Sequence, residues 1–95
     1  MNKVTPELID QYISGAEIVY DVLSDKSTTV CSIILFGGRF SVRGESSCVD
    51  VNNFNTELGK KYSYENAYRK MWEVVGVILA YELWLNDNIV GREEV

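Results

Sequence analysis

Thr56–Leu85, TELGKKYSYENAYRKMWEVVGVILAYELWL, decides the fold. It reads as one long helix with two unlike halves. The first half is charged and amphipathic. Met71–Leu85 is apolar on nearly every side, broken only by Glu73 and Glu82. A surface helix shows one apolar stripe, whereas a helix apolar all round is buried all round. The expected core stripe is Tyr64, Ala67, Met71, Val74, Val75, Ile78 and Leu85. A second stripe, roughly opposite, is Leu58, Tyr62, Trp72, Gly76, Leu79 and Leu83, with Gly76 where a close helix–helix approach uses a residue without a side chain. A chain of 95 residues is too short to bury such a helix alone, so a second copy is expected to cover that stripe.

Upstream of the helix, Glu45–Asn55 (ESSCVDVNNFN) is a polar connector. Asp50 suits the start of a short turn, and Asn55 or Thr56 suits the helix cap, with Glu57 in the first turn. Thr28–Phe36 (TTVCSIILF) is rich in β-branched residues and reads as a central strand. Gly37-Gly38 is a two-residue turn signal, and Arg39–Glu45 is the returning strand. That turn pairs Phe36 with Arg39, Leu35 with Phe40, Ile33 with Val42 and Cys31 with Gly44. Cys31, Ile33, Leu35, Phe40 and Val42 then share an apolar face that packs on the long helix. The opposite face mixes Val30, Ile34 and Phe36 with Arg39, Ser41, Arg43 and Glu45. Three large apolar residues there call for a cover: a partner subunit, a ligand or the N-terminal helix. Glu17–Val22 is a first strand, with Ile18, Tyr20 and Val22 on one face. Thr5-Pro6-Glu7 opens a short helix that Gly15 closes.

The expected fold is therefore α+β in a single domain over residues 1–95. A short N-terminal helix leads into a three-stranded, mostly antiparallel sheet. The long C-terminal helix packs on one face and carries the oligomer interface. The polar tail Asn86–Val95 is expected to fray.

Composition narrows the chemistry. The chain is 46% hydrophobic and 24% charged, an ordinary globular balance. Its net charge of −5 argues against DNA, RNA or an anionic membrane as partner. There is no histidine, so imidazole metal sites are excluded and neutral-pH proton transfer would need a shifted carboxylate, lysine or cysteine. Two cysteines, Cys31 and Cys48, are too few for a zinc site or a disulfide scaffold. Two thiols in a reducing cytosol is the expected state, with a single bridge as the other option. The N-terminus lacks a signal-peptide core, and the apolar run at Met71–Leu85 is shorter than the roughly 20 residues of a bilayer span. Ser46, Ser47 and Cys48 sit in no nucleophile motif, and Gly37-Gly38 is followed by no Gly-Lys-Ser/Thr. No catalytic residue, metal ligand or cofactor is assigned.

The pattern Phe40-x-Val42-x-Gly44-x-Ser46-x-Cys48-Val49, then Asn53-Phe54-Asn55-x-Glu57-x-Gly59-Lys60, then Glu65-Asn66-Ala67 and Trp72-Glu73, resembles a family of small non-structural proteins of tailed phages and prophages. The Val4-Thr5-Pro6 start resembles it too. Two departures are Val51, where the family commonly has proline, and Lys60, where arginine is usual. The chain is also similar to phage anti-Thoeris sponge proteins. That second resemblance implies a homo-oligomer that sequesters a cyclic ADP-ribose-type or cyclic oligonucleotide signal in the host cytoplasm, without cleaving it.

Six residues are candidates for such a small anionic ligand. Arg39 and Arg43 lie on the mixed face of the hairpin, and guanidinium forks match phosphate oxygens. Solvated charge or pairing with Glu17 or Glu45 is their structural alternative. Asn53 and Asn55 suit a base edge or a ribose, and equally suit turn and cap chemistry. Arg69 and Lys70, with Lys60 and Lys61, make the helix's first half basic within an acidic protein. Tyr62, Tyr64 and Tyr68 cluster beside them, better suited to packing than to stacking on a base. The alternative function is an acidic phage protein that binds and inhibits a host protein.

Overall fold

The computed structural model describes residues 3–93, with side chains placed through residue 88. Helix α1 (Pro6–Ser14) starts where capping chemistry puts it: the Thr5 hydroxyl accepts from the Leu8 N–H at 3.2 Å and Pro6 takes the first turn. Gly15 closes it, donating its N–H to the Ile13 carbonyl. Strands β1 (Glu17–Val22), β2 (Thr28–Leu35) and β3 (Phe40–Ser47) form one antiparallel sheet in the order β1-β2-β3. The register is the expected one at Leu35–Phe40, Ile33–Val42 and Cys31–Gly44. Asp50 caps a short 3₁₀ turn, Val51–Asn53, by accepting from the Asn52 N–H. Helix α2 (Thr56–Glu93) then begins with Asn55 as its cap, whose Oδ1 accepts from the Leu58 N–H at 3.0 Å.

The tail expected to fray is helical: α2 continues through Glu93. No proline interrupts Asn86–Glu93, and the Asn88 amide donates back to the Trp84 carbonyl at 2.8 Å. At 38 residues α2 is roughly 57 Å long, while the eight-residue strands span about 26 Å. The molecule is accordingly 67 Å long and only 22 × 19 Å across, because the helix overhangs its sheet.

A ridge of small residues holds the helix down. Gly59, Ser63, Ala67, Met71 and Val75 recur every four residues and all are buried. Gly44 of β3 lies beneath the ridge, where a Cβ would run into the backbone of Ser63, Asn66 and Ala67. Above that close approach the core fills with Ile9, Cys31, Ile33, Leu35, Val42, Met71 and Val75. Ile9 comes from α1, so both helices cover the same sheet face. The N-terminal helix is therefore not the cover for Val30 and Ile34 on the other side. Of the expected core stripe of α2, Tyr64, Val74 and Ile78 are half-buried, and Leu85 lies out on the overhang.

The hairpin turn departs from expectation. Its loop is four residues, Phe36–Arg39, because Phe36, Gly37 and Gly38 all adopt positive φ (55°, 66° and 91°). A left-handed Phe36 leaves the pleat, so its ring turns to the helix side, edge-on to Tyr12 at 6.3 Å. It is not on the mixed face. Phe40 keeps its expected pairing but is 48% exposed, since the sheet ends there and α2 does not cover it.

Two stability predictions arise here. The Thr29 side chain is 1% exposed and, among the described residues, its hydroxyl has no hydrogen-bond partner, lying against Gly59. Thr29→Val removes an unmet polar group at nearly constant shape and is expected to stabilise by about 1 kcal/mol, which a urea melt reads directly. In the β1–β2 turn, Asp25 accepts from the Ser27 and Thr28 N–H groups at 2.9 and 3.0 Å and from the Thr28 hydroxyl at 2.6 Å. These bonds, that from the Thr28 hydroxyl first, hold its carboxyl below the ordinary range. A depressed folded pKa means stability present above the unfolded value and lost as pH falls through the folded one. Below about pH 4, wild type should therefore lose more melting temperature than Asp25→Asn does.

Candidate functional site

The six candidate ligand residues do not converge. Arg43 pairs with Ser32 and points away from both helices, on the uncovered sheet face. Arg39 ends the hairpin turn, where its guanidinium donates to the Phe36 carbonyl at 3.1 Å. Arg69 and Lys70 belong to α2 on the opposite side of the sheet. A single pocket joining the sheet arginines to Arg69 within one chain is excluded by that geometry.

Asn53 and Asn55 line a small depression between the end of β3 and the start of α2, with Ser46, Cys48, Leu58 and Tyr62 around them. Both side chains are already engaged. The Asn53 amide donates to Asp50 at 3.1 Å, and Asn55 holds the α2 cap. Turn and cap chemistry thus accounts for each. Cys48 Sγ lies 3.0 Å from the Asp50 carbonyl, and both cysteines are free thiols. Burial raises the pKa of the Cys31 thiol. Among the described residues, no three His, Cys, Asp or Glu side chains gather as a metal ion would need.

Arg69 has the company that a nucleotide would want. It lines an open depression of about 400 Å³ on α2 together with Tyr64, Glu65, Tyr68 and Trp72. The residues recur at three- and four-residue spacing, which stacks them along one side of the helix. Arg69 Nη1 donates to Asn66 Oδ1 at 3.2 Å, and Asn66 in turn donates to the Glu45 carbonyl at 2.7 Å. That chain ties the guanidinium to β3. The Tyr64 and Tyr68 rings are tilted against each other at 6.1 Å. The Tyr68 hydroxyl donates to Asp10 of α1 at 3.2 Å. Burial, and then Asp10, raises the pKa of both phenols, so they stay neutral at ordinary pH. The site can offer aromatic faces, one guanidinium and neutral hydroxyls. By sequence Tyr64 and Tyr68 suit packing; the four-residue steps Tyr64–Tyr68–Trp72, with Arg69 three residues before Trp72, were the available signal.

Lys60 and Lys61 are turned to aromatic rings rather than to a common anion site. Lys60 Nζ lies 5.6 Å from the Tyr20 ring centre and Lys61 Nζ 5.6 Å from that of Tyr62. Lys70 borders a third, apolar groove of about 620 Å³ with Phe36, Phe40, Val42, Glu73, Val74, Val77 and Ile78.

The expected interface stripe is exposed at Leu58, Tyr62, Trp72 and Leu83. Its middle is partly covered, since Gly76 and Leu79 are half-buried and Val4 lies over Gly76. Among the described residues, a Cβ at Gly76 would meet only Val4 Cγ2, at an ordinary 3.8 Å. Gly76→Ala is therefore expected to raise stability by about 0.5–1 kcal/mol through helix propensity. A drop in melting temperature would show that another backbone packs there.

The profile of the phage protein (N4 Gp49/phage Sf6 gene 66) family matches residues 4–83. No curated protein and no solved structure matches the chain.

Proposed function

The chain belongs to the N4 Gp49/phage Sf6 gene 66 family of phage proteins, and from that premise we propose that it sequesters a cyclic nucleotide signal of host defence. The signal is of cyclic ADP-ribose or cyclic oligonucleotide type, held uncleaved in the cytoplasm of the infected cell. The observation that supports this reading is Arg69 among Tyr64, Tyr68 and Trp72 in one depression. A guanidinium donates in parallel to two phosphate oxygens. A base stacked on an aromatic ring gains about 1–3 kcal/mol. Glu65 beside them accepts from ribose hydroxyls or a base amino group. The volume of about 400 Å³ falls within the roughly 300–1,000 Å³ of small-molecule sites. Binding without chemistry suits a site whose members stack, donate and accept hydrogen bonds.

The test is a thermal-shift screen of the full chain against cyclic dinucleotides, cyclic trinucleotides and cyclic ADP-ribose isomers, with mass spectrometry of the recovered ligand. A ligand that binds only the folded state raises the melting temperature by mass action. A shift with intact ligand is the expected result. A shift with altered ligand means an enzyme. No shift across the panel moves the reading to the alternative, an acidic protein of net charge −5 that binds and inhibits a host protein.

A further inference from the structure

The two edges of the sheet differ. The Leu23 N–H donates to the Thr28 carbonyl at 2.9 Å, and the Cys48 N–H to the Ser27 carbonyl at 2.8 Å. Bonded pairs alternate along an antiparallel ladder. Glu17, Val19 and Asp21 therefore turn their backbone groups to β2, and Ile18, Tyr20 and Val22 turn theirs outward. On β3 the outward residues are Ser41, Arg43, Glu45 and Ser47. That edge is engaged by α2, whose Asn66 amide donates to the Glu45 carbonyl at 2.7 Å. Among the described residues nothing bonds the outward groups of β1 in this way. An edge strand is ordinarily blunted by lysine, proline, a bulge or a covering element. β1 (EIVYDV) has no lysine or proline, and its register with β2 runs unbroken from Glu17–Ile34 to Val22–Thr29. Ile18 and Val22 on it are 37% and 50% exposed. We propose that this edge takes an extended segment of a partner protein as a fourth strand, antiparallel to β1, with apolar and basic residues in alternation.

The two faces of the sheet set that alternation. Side chains opposite Ile18, Tyr20 and Val22 fall on the helix side, beside the two bare aliphatics, and are apolar. Those opposite Glu17 and Asp21 fall on the uncovered face and are lysine or arginine, because opposite charges across a strand pair stabilise it. The acids have only neutral residues, Ile34 and Val30, across from them on β2. Lys60 of α2 fixes the register from the helix side, its Nζ 5.6 Å from the centre of the Tyr20 ring. A slip by one residue would bring the added basic side chains to Lys60 and the apolar ones to the acids. The same acids turn away a second copy of the chain. Pairing β1 with its own copy sets Glu17 and Asp21 of the two chains beside one another, which like charge disfavours. In strand addition the main-chain bonds give affinity and the alternate side chains give specificity.

The probe is an acetylated and amidated peptide, Ile-Lys-Val-Thr-Val-Lys, which in antiparallel order sets its first residue against Val22 and its lysines against Asp21 and Glu17. Amide hydrogen exchange by NMR on the full chain reads the result. In the free protein the amides of Ile18, Tyr20 and Val22 are expected to exchange much faster than those of Val19 and Asp21, and the peptide to slow those three. Methylating the backbone nitrogen of the peptide's third residue, which faces Tyr20, is expected to weaken binding about tenfold, and methylating that of the fourth, which faces away, by less than about twofold. Val22→Pro removes an outward N–H and leaves the β2 ladder intact, so it should melt near wild type and lose the peptide. Equal binding of the two methylated peptides overturns the proposal, as does protection at Arg43 and Glu45 instead, or no binding at roughly millimolar peptide. Slow exchange of the three amides in the free protein, deepening with its concentration, gives the edge to a second copy and overturns it too. The methylated peptides need no protein variant, so a misfolded Val22→Pro does not decide the matter. None of these outcomes depends on whether a nucleotide binds at Arg69.

Discussion

Gly44→Ala is expected to lower the melting temperature by on the order of 15 °C, and Gly44→Val to prevent folding. Exchanging a strand glycine for alanine ordinarily gains about 0.4–1 kcal/mol by restricting the unfolded chain. Here the sign reverses, because a Cβ at Gly44 meets backbone and not side chain. The obstructing atoms belong to Ser63, Asn66 and Ala67, three residues of one α2 turn and a half. Backbone in a helix cannot rotate aside. The whole of α2 would have to lift, and with it Met71 and Val75 would leave Cys31, Ile33 and Leu35. Overpacking typically costs about 1–3 kcal/mol, and the rigidity of the obstacle puts this case at the top of that range. For a domain of this size each kcal/mol moves the melting temperature by about 4–8 °C. A companion variant separates this cause from ordinary crowding. Ala67→Gly removes a side chain but not the backbone nitrogen that a Cβ would strike, so it should not rescue Gly44→Ala. A single Gly44→Ala variant melting within about 2 °C of wild type would mean that the helix does not lie on β3 as described.

That same ridge explains what was legible in the sequence and what was not. The caps at Thr5 and Asn55, the strand spans and the Leu35–Phe40 register follow from local rules, and the chain obeys them. Hydrophobic periodicity found Ala67, Met71 and Val75. It passed over Gly59, Ser63 and Gly44, because small residues mark a close approach by what they lack and rank as neutral on any apolar scale. Phe36 is misplaced because alternation assumes an unbroken pleat up to the turn, and the positive φ at Phe36 breaks it; Phe40 keeps its expected pairing and is half exposed because the sheet ends there. The scatter of the candidate arginines has a different origin. The candidates are gathered by charge from both sides of the sheet: the face of Cys31, Ile33, Leu35 and Val42 is expected to receive α2 and does, which leaves Arg43 on the side away from Arg69, and the close approach over Gly44 fixes the same arrangement.

Arg69→Ala is expected to weaken nucleotide binding on the order of 100-fold, with no loss of fold. A hydrogen bond to a charged group contributes about 1.5–3 kcal/mol, and each 1.4 kcal/mol is tenfold in affinity. Arg69 is exposed and among the described residues its hydrogen-bond partner is Asn66, so the melting temperature of the unliganded protein should move by no more than about 4 °C. Trp72→Ala removes a stacking face and is expected to cost about 1–3 kcal/mol of binding, and the double variant should show no detectable shift with any ligand. Arg43→Ala is the control, since its side chain faces the other side of the sheet. Lys in place of Arg69 tells charge from geometry. It keeps the cation but loses the two-pronged fit to phosphate, so Arg69→Lys should recover a small part of the loss and regain more at low salt, where a lone cation is screened less. Calorimetry of the four single variants against the ligand found in the screen checks all of this. Loss of binding in Arg43→Ala with Arg69→Ala unaffected would move the site to the uncovered face of the sheet, beside Val30 and Ile34.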